Sequence, residues 1–419
     1  MCILLCILKI HKCTKFLIII ISCVSNCVSN RNRINSRLNF FDVELLRSAS
    51  EEKTGNVMVS PASIKSTLAM ILQGSLGQTA IEIQRALRLS PDKEDWQNQF
   101  YMYLNSLQVN STATALQNAN GLFVSKRLKL RTKYDDIVRR EFGSEVTSLD
   151  FNDRKSAALA INGWVSQKTH GLIPFVVEPD QIEPATDIVL ANALFFKSSW
   201  HNSFDPKRTR GGCFYKDNSC QNVAMMELDT ELNYAYVDEL RAHSVELPYE
   251  EKRYSMIILV PIDRDGYLDL IHDLPYVSLN HITSLMQPND VQLMIPKFTV
   301  NYNENMIGIL KKLRISTLFS PQANLSGIFE GTSSYVTSFY HKVFMSVDEV
   351  GTVAAAASAS MVVPLMYSGV EVRVDRPFVF YIRDNSNGIV LFEGKIEDPT
   401  PFEGPVGGYL FATKLKSTF

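Results

Sequence analysis

One stretch constrains this chain more than any other. From Gly351 to Val363 it carries no charge and no proline, and Met361 is its one large side chain. Every residue there keeps its backbone N–H. The stretch can therefore become a central strand without losing a ladder bond or burying a charge. Thr352, Ala354, Ala356 and Ser358 would then point to one face, and all are small enough to slide over a packed core. Pro364 marks where such a strand must stop. A short Ala-rich helix is equally compatible, because Ala is the best helix former. Composition leaves both readings open. Residues 350–369 together read as a loop, and loops of that length inside a compact protein are usually functional.

The remainder reads as an α+β protein. The 419 residues are 46% hydrophobic and 21% charged, enough for a large core. Lys plus Arg total 42 against 44 Asp plus Glu, a balance that argues against nucleic acid as a partner. Ile34, Leu38, Phe41 and Leu45 share a helical spacing, as do Met306, Ile309, Leu310 and Leu313. Ser60-Pro61 reads as an N-cap with proline at the first helical position, followed by the apolar face Ile64, Leu68, Ile71 and Leu72. Val291, Leu293 and Ile295 alternate as in a strand, and so do Val370, Val372 and Val374. Apolar runs on either side of Asn385-Ser386-Asn387-Gly388 signal a hairpin. Helices early, strands late and little regular alternation favour α+β over a doubly wound sheet.

No nucleophile elbow, zinc-binding His pair, Walker loop or dinucleotide fingerprint is present. An enzyme therefore has no positive support, and neither a metal nor a cofactor is expected. Lys9, Lys12 and Lys15 precede the apolar run Phe16–Ile21, and small residues follow through Ser25 and Ser29. That order predicts a signal peptide over 1–29, cleaved near 25–29, and hence a secreted, extracellular protein. The run is too short to cross a bilayer, so no membrane partner is expected. Five of the seven cysteines fall in the first 27 residues. Cys213 and Cys220 flank a turn-rich stretch and could staple a hairpin or stay as two free thiols. Asn110 and Asn324 open glycosylation sequons. Lys126, Arg127, Lys129, Arg131 and Lys133, with Arg139 and Arg140, form the densest basic stretch, which could bind a sulfated polysaccharide or simply be a solvated face.

An ordered set of motifs then resembles the serpin family across about Asn32 to Pro401. Asn56-Val57-Met58-Val59-Ser60-Pro61-Ala62-Ser63 is similar to the family's Asn-x-x-x-Ser-Pro-x-Ser. Ile161–Val165 with Lys168–Gly171, Leu190–Lys197 with Trp200 and Phe204-Asp205-Pro206, and His341-Lys342 with Asp348-Glu349 and Gly351-Thr352 resemble successive family segments. Arg376-Pro377-Phe378 and Leu391-Phe392-Glu393-Gly394 resemble the closing strands. The resemblance implies a single-domain fold over 30–402, with three β-sheets, about nine helices and an exposed reactive-centre loop. Residues 403–419 fall outside it as a C-terminal extension.

The implied function is suicide inhibition of a serine protease. The protease forms an acyl-enzyme on the loop, and the cut loop then inserts into the main sheet. Loop insertion in serpins is itself the standard example of strand addition and of stored strain released by cleavage. The resemblance places the hinge at Glu349, Gly351, Thr352, Val353, Ala354, Ala355, Ala356 and Ala357. Val353 departs from the family's usual Glu. Family spacing from Glu349 puts the reactive bond at Leu365-Met366, with Met366 or Val363 as alternative specificity residues. Leu or Met suits the apolar pocket of chymotrypsin-like or elastase-like enzymes. Ser60, Ser63, Asn192 and His341 match the family's shutter, and Trp200 the breach where the loop enters. The helix candidate at 93–108 is not basic, which argues against a glycosaminoglycan partner. The expected partner is a covalently held protease, and the expected free state is a monomer. Two other readings share the fold: a non-inhibitory carrier, storage protein or chaperone, and an inhibitor of papain-like cysteine proteases.

Overall fold

The computed structural model describes residues 40–51, 53–107, 114–217, 219–331, 333–352 and 369–403. Among these it contains nine α-helices and three β-sheets, an α+β architecture. The largest sheet runs Val57–Val59, Ile389–Ile396, Phe378–Asp384, Tyr254–Pro261, Ala242–Pro248, Ser219–Val237, Gln287–Pro296, Val370–Arg373, with Arg210–Lys216 paired to Ser219–Val237. The hairpin expected around Asn385–Gly388 is there, and Gly388 takes the left-handed φ of +75° that the turn needs.

The second sheet positions the site. Its strands are β1 (Thr114–Ser125), β2 (Glu145–Leu149), β3 (Ile188–Ser199), β4 (Phe298–Asn305), β5 (Val336–Val347) and the two-residue β6 (Gly351–Thr352). Their order is β4-β5-β6-β3-β1-β2. From Ile188 to Ser198, β3 is buried apart from Lys197, as a strand covered on both faces must be. Helix α1 (Pro61–Leu72) packs against one face with all of its residues buried. Ser60 caps it in extended conformation, its hydroxyl accepting from Ser63 N–H, with Pro61 at the first position. Helix α2 (Arg154–Lys168) crosses the other face. Its Ala157, Ile161 and Val165 rest on Val189, Ala191, Ala193 and Tyr340, and Trp164 meets Phe123 edge-on at 5.6 Å.

Several helical and strand expectations have counterparts here. Met306, Ile309 and Leu310 are buried in or beside helix Ile307–Lys312, and Val370–Arg373 is a strand. Phe41 and Leu45 are buried on the helix at 40–51, while Ile34 and Leu38 lie outside the described residues. Strands are not confined to the second half, however. The 12-residue β1 escapes the pattern because Gln117, Asn118 and Asn120 interrupt its apolar positions.

Candidate functional site

Strands β3 and β5 run side by side in parallel over half their length, from Val336 opposite Ile188 to Val343 opposite Leu194. Above that point they part. A tight turn at Asp348–Gly351 reverses the chain and lays β6 between them, with Gly351 opposite Ser199 and Thr352 opposite both Ser198 and Val347. Asp348 builds this turn. Its carboxylate accepts from Val350 N–H at 2.9 Å and Gly351 N–H at 3.2 Å, and its own N–H donates to Gly351 C=O at 3.1 Å. Only glycine fits at 351. A methyl group there would lie 2.2 Å from the Ser198 carbonyl oxygen.

Trp200 closes the mouth above this wedge. Its ring stacks on Tyr249 at 4.5 Å, its indole N–H donates to Asp348 C=O at 2.9 Å, and its backbone N–H donates to Val350 C=O at 2.8 Å. The Tyr249 hydroxyl reaches Thr352 Oγ1 at 2.7 Å, both groups being buried. Glu349 receives Lys297 Nζ at 2.9 Å and the Thr209 hydroxyl at 2.7 Å. Partial burial raises its pKa, but those donors outweigh it and hold the carboxylate below its usual range. Sequence reasoning does not single out Tyr249, Lys297 or Thr209. Each lies far along the chain from the hinge, and nothing local marks them.

A second cluster bridges β3 and β5 lower down. Ser60 N–H donates to His341 Nε2 at 3.0 Å. A backbone N–H can only donate, so Nε2 is an acceptor and the ring proton sits on Nδ1. Nδ1 donates to Asn192 Oδ1 at 2.6 Å, directly across the β3–β5 seam where His341 and Asn192 are register partners. The Asn192 amide nitrogen, with two hydrogens to donate, lies within hydrogen-bond distance of Ser63 Oγ, of Asn120 Oδ1 at 2.6 Å and of Thr67 Oγ1 at 3.1 Å. Ser60 Oγ donates to Leu391 C=O at 2.8 Å, tying the cluster to the large sheet. Burial pushes the His341 pKa down to about 3, so the imidazole is neutral at physiological pH. Ser60, Ser63, Asn192 and His341 thus come together, as the motifs imply. Asn120 and Thr67 complete the network, and no motif marks them. Thr67 lies four residues from Ser63 on α1, a spacing that could have exposed it.

The other expected positions fall elsewhere. Val353, Ala354, Ala355, Ala356, Ala357, Leu365 and Met366 lie outside the described residues, as do Asn110 and residues 1–39. Cys213 and Cys220 are joined by a disulfide across the hairpin of Arg210–Lys216 with Ser219–Val237. The basic stretch is largely ion-paired: Arg127 to Asp187, Lys129 to Glu330, Arg139 to Asp135 and Arg140 to Glu141.

Comparison with known proteins settles the family. Residues 36–399 match the family model described as Serpin (serine protease inhibitor). This chain is a serpin. It is 32% identical over 374 residues to a leukocyte elastase inhibitor of Xenopus tropicalis, covering 87% of this chain and 99% of that one. It is 33% identical to serpin B9 of Homo sapiens, covering 86% and 97%. Among solved structures, Serpin48 of Tenebrio molitor superposes with a TM-score of 0.79 at 28% identity, covering 87% and 97%.

These relatives correct one expectation. The matching leukocyte elastase inhibitors and serpins B9 and B10 point to an intracellular rather than a secreted serpin. The secreted, extracellular reading falls on that finding, together with its signal peptide at 1–29 and its glycans at Asn110 and Asn324. The physical reason is that lysines before a short apolar run describe many N-termini. A sequon such as Asn324-Leu325-Ser326 is equally unspecific. Here Asn324 is exposed, but its Oδ1 accepts from the Ser326 backbone N–H at 3.3 Å, as in an ordinary Asx turn, and from the Ser326 hydroxyl at 2.8 Å.

Proposed function

We propose that this serpin is a suicide-substrate inhibitor of serine proteases, with Leu365-Met366 as the reactive bond and apolar-pocket enzymes of chymotrypsin or elastase type as targets. The observation that carries the reading is the seated hinge. Gly351 and Thr352 already occupy the first two places of a strand between β3 and β5. Carrying that register forward six residues would set Ser358 opposite Asn192 on one side and His341 on the other. Pro364 would then fall opposite positions 186 and 335, just outside the starts of β3 and β5 at Ile188 and Val336. The stretch that lacks proline and charge is thus the length that the seam accepts.

The same register explains the choice of side chains. Thr352, Ala354, Ala356, Ser358, Ser360 and Val362 would face α1, and Val353, Ala355, Ala357, Ala359, Met361 and Val363 would pass beneath α2. Bulky or charged groups on either face would meet a packed helix. Insertion must also break the His341–Asn192 bond, which makes that cluster the barrier holding the uncut state. The free protein acts as a monomer and, once its loop is cut, holds the intact protease through an acyl (ester) bond.

The test is incubation with chymotrypsin, pancreatic elastase and trypsin, followed by a denaturing gel. A band heavier by one protease that survives hot detergent supports the reading. Clean cleavage near Leu365 without such a band refutes it and leaves a non-inhibitory serpin.

A further inference from the structure

We infer that a cavity at the end of two helices, far from the hinge in sequence, binds a compact polyanion carrying several phosphate groups. The cavity holds about 700 Å³, within the usual range of ligand pockets. Five cations line it, Arg47, Arg85, Arg88, Lys312 and Arg314, against two carboxylates, Glu44 and Glu82. The two carboxylates offset part of this charge and leave a surplus of three positive charges in the lining. Glu82 is occupied by the backbone N–H groups of Ser316 and Thr317, both at 2.8 Å, and by the Thr317 hydroxyl at 2.6 Å. Glu44 lies beside Arg47 at 3.9 Å, and Glu51 serves Arg47 and Lys312 at 3.4 Å each.

Arg85, Arg88 and Arg314 are left over. Among the described residues none of the three guanidiniums makes an ion pair or donates a hydrogen bond. Arg88 lies over the Phe40 ring at 3.7 Å, which fixes its plane and leaves its donors free. The backbone adds an independent sign. Arg88 and Arg314 have φ of 51° and 66°, in the left-handed region that residues with a side chain rarely adopt. Each follows the end of a helix, Gly77–Ala86 and Ile307–Lys312, at the place where glycine is the unstrained choice. The helix carbonyl ends attract cations in general. That attraction does not explain why two strained positions both carry the fork-shaped donor and turn it into one cavity.

The N-terminal segment does not supply an anion. Phe40 and Phe41 line the cavity, and the chain from residue 1 to residue 41 contains no Asp or Glu. The basic stretch of Lys126 to Arg140 offers a contrast, since four of its cations are already paired at the surface. Three guanidiniums without an ion pair among the described residues line one concavity, and a guanidinium fork suits the bidentate geometry of phosphate oxygens.

Calorimetric titration of the full-length protein with inositol hexakisphosphate and with tripolyphosphate, at about 150 mM salt, tests this. One-to-one binding is expected, weakened about tenfold or more in the double variant Arg85→Ala, Arg314→Gly. Glycine suits the backbone at 314, so the variant should keep the wild-type melting temperature without ligand. A second variant, Lys129→Ala with Lys133→Ala, should bind like wild type. The inference is overturned by no heat from either probe up to about 1 mM, or by equal affinity in the Arg85, Arg314 double variant. Because the readout is binding, it is independent of whether the protein inhibits any protease.

Discussion

Thr352→Arg is the sharpest test of the hinge. Thr352 is fully buried between Ser198 and Val347, and its hydroxyl bonds to that of Tyr249, which is 1% exposed. Losing that bond leaves a buried hydroxyl unsatisfied, at about 1–3 kcal/mol. Seating a guanidinium at this buried position costs more than the lost bond. The residue is therefore expelled, and every later residue of the loop must follow a misplaced lead. If about 3 kcal/mol of this falls on the transition state for insertion, insertion slows by about two orders of magnitude. Acyl-enzyme hydrolysis does not involve the hinge and keeps its rate. The branch therefore turns toward cleaved serpin and free protease. The assay is the number of serpin molecules consumed per chymotrypsin inhibited, with gel quantification of complex and cleaved product. That number should rise at least tenfold for Thr352→Arg, and less for Thr352→Val, which loses the Tyr249 bond but keeps the shape and adds no charge. An unchanged number for Thr352→Arg would show that insertion does not begin at this wedge.

Four further outcomes rest on the same geometry. Gly351→Ala should eject the turn, because its methyl group meets the Ser198 carbonyl oxygen at 2.2 Å, and a shift in Trp200 fluorescence should report the ejection. Leu365→Arg should move inhibition from chymotrypsin to trypsin-like enzymes, and unchanged preference would place the reactive bond elsewhere. Asn192→Ala removes the bridge to His341 and should speed unfolding in urea by about tenfold or more, since buried partners are left unpaired. His341 should make stability fall on acidification. Its folded pKa of about 3 lies below the unfolded value of 6.5, so the unfolded chain binds the proton first. The contribution is full above about pH 6.5 and is lost as pH falls toward 3, by about 2 kcal/mol between pH 7 and pH 5. Asp42, which burial raises to about 6, pushes the other way, so the readout is the difference between wild type and His341→Gln. Parallel pH profiles of the two proteins would contradict the assignment.

Some of this molecule is written locally, and some is not. The stretch proposed to insert is legible because its requirements are local: no proline, no charge, small side chains, and Pro364 as a stop. The cap at Ser60, the hairpin at Asn385–Gly388 and the alternating strands are legible for the same reason, since each depends on neighbours a few residues away. Sequence alone leaves the Ala-rich run open between helix and strand. Only the fold seats Gly351 and Thr352, which lead into the run, between β3 and β5, with their partners on β3 about 150 positions away. The polar cluster is likewise tertiary. Asn192, His341, Ser63 and Asn120 come from four segments, and each residue by itself looks like an ordinary buried polar group. The cavity of Arg85, Arg88 and Arg314 is invisible for a further reason: charge along the chain says nothing about which cations have found a carboxylate in the fold. Local pattern fixes what a segment is able to become, and burial decides which polar groups must find one another, because only there is an unmet hydrogen bond costly.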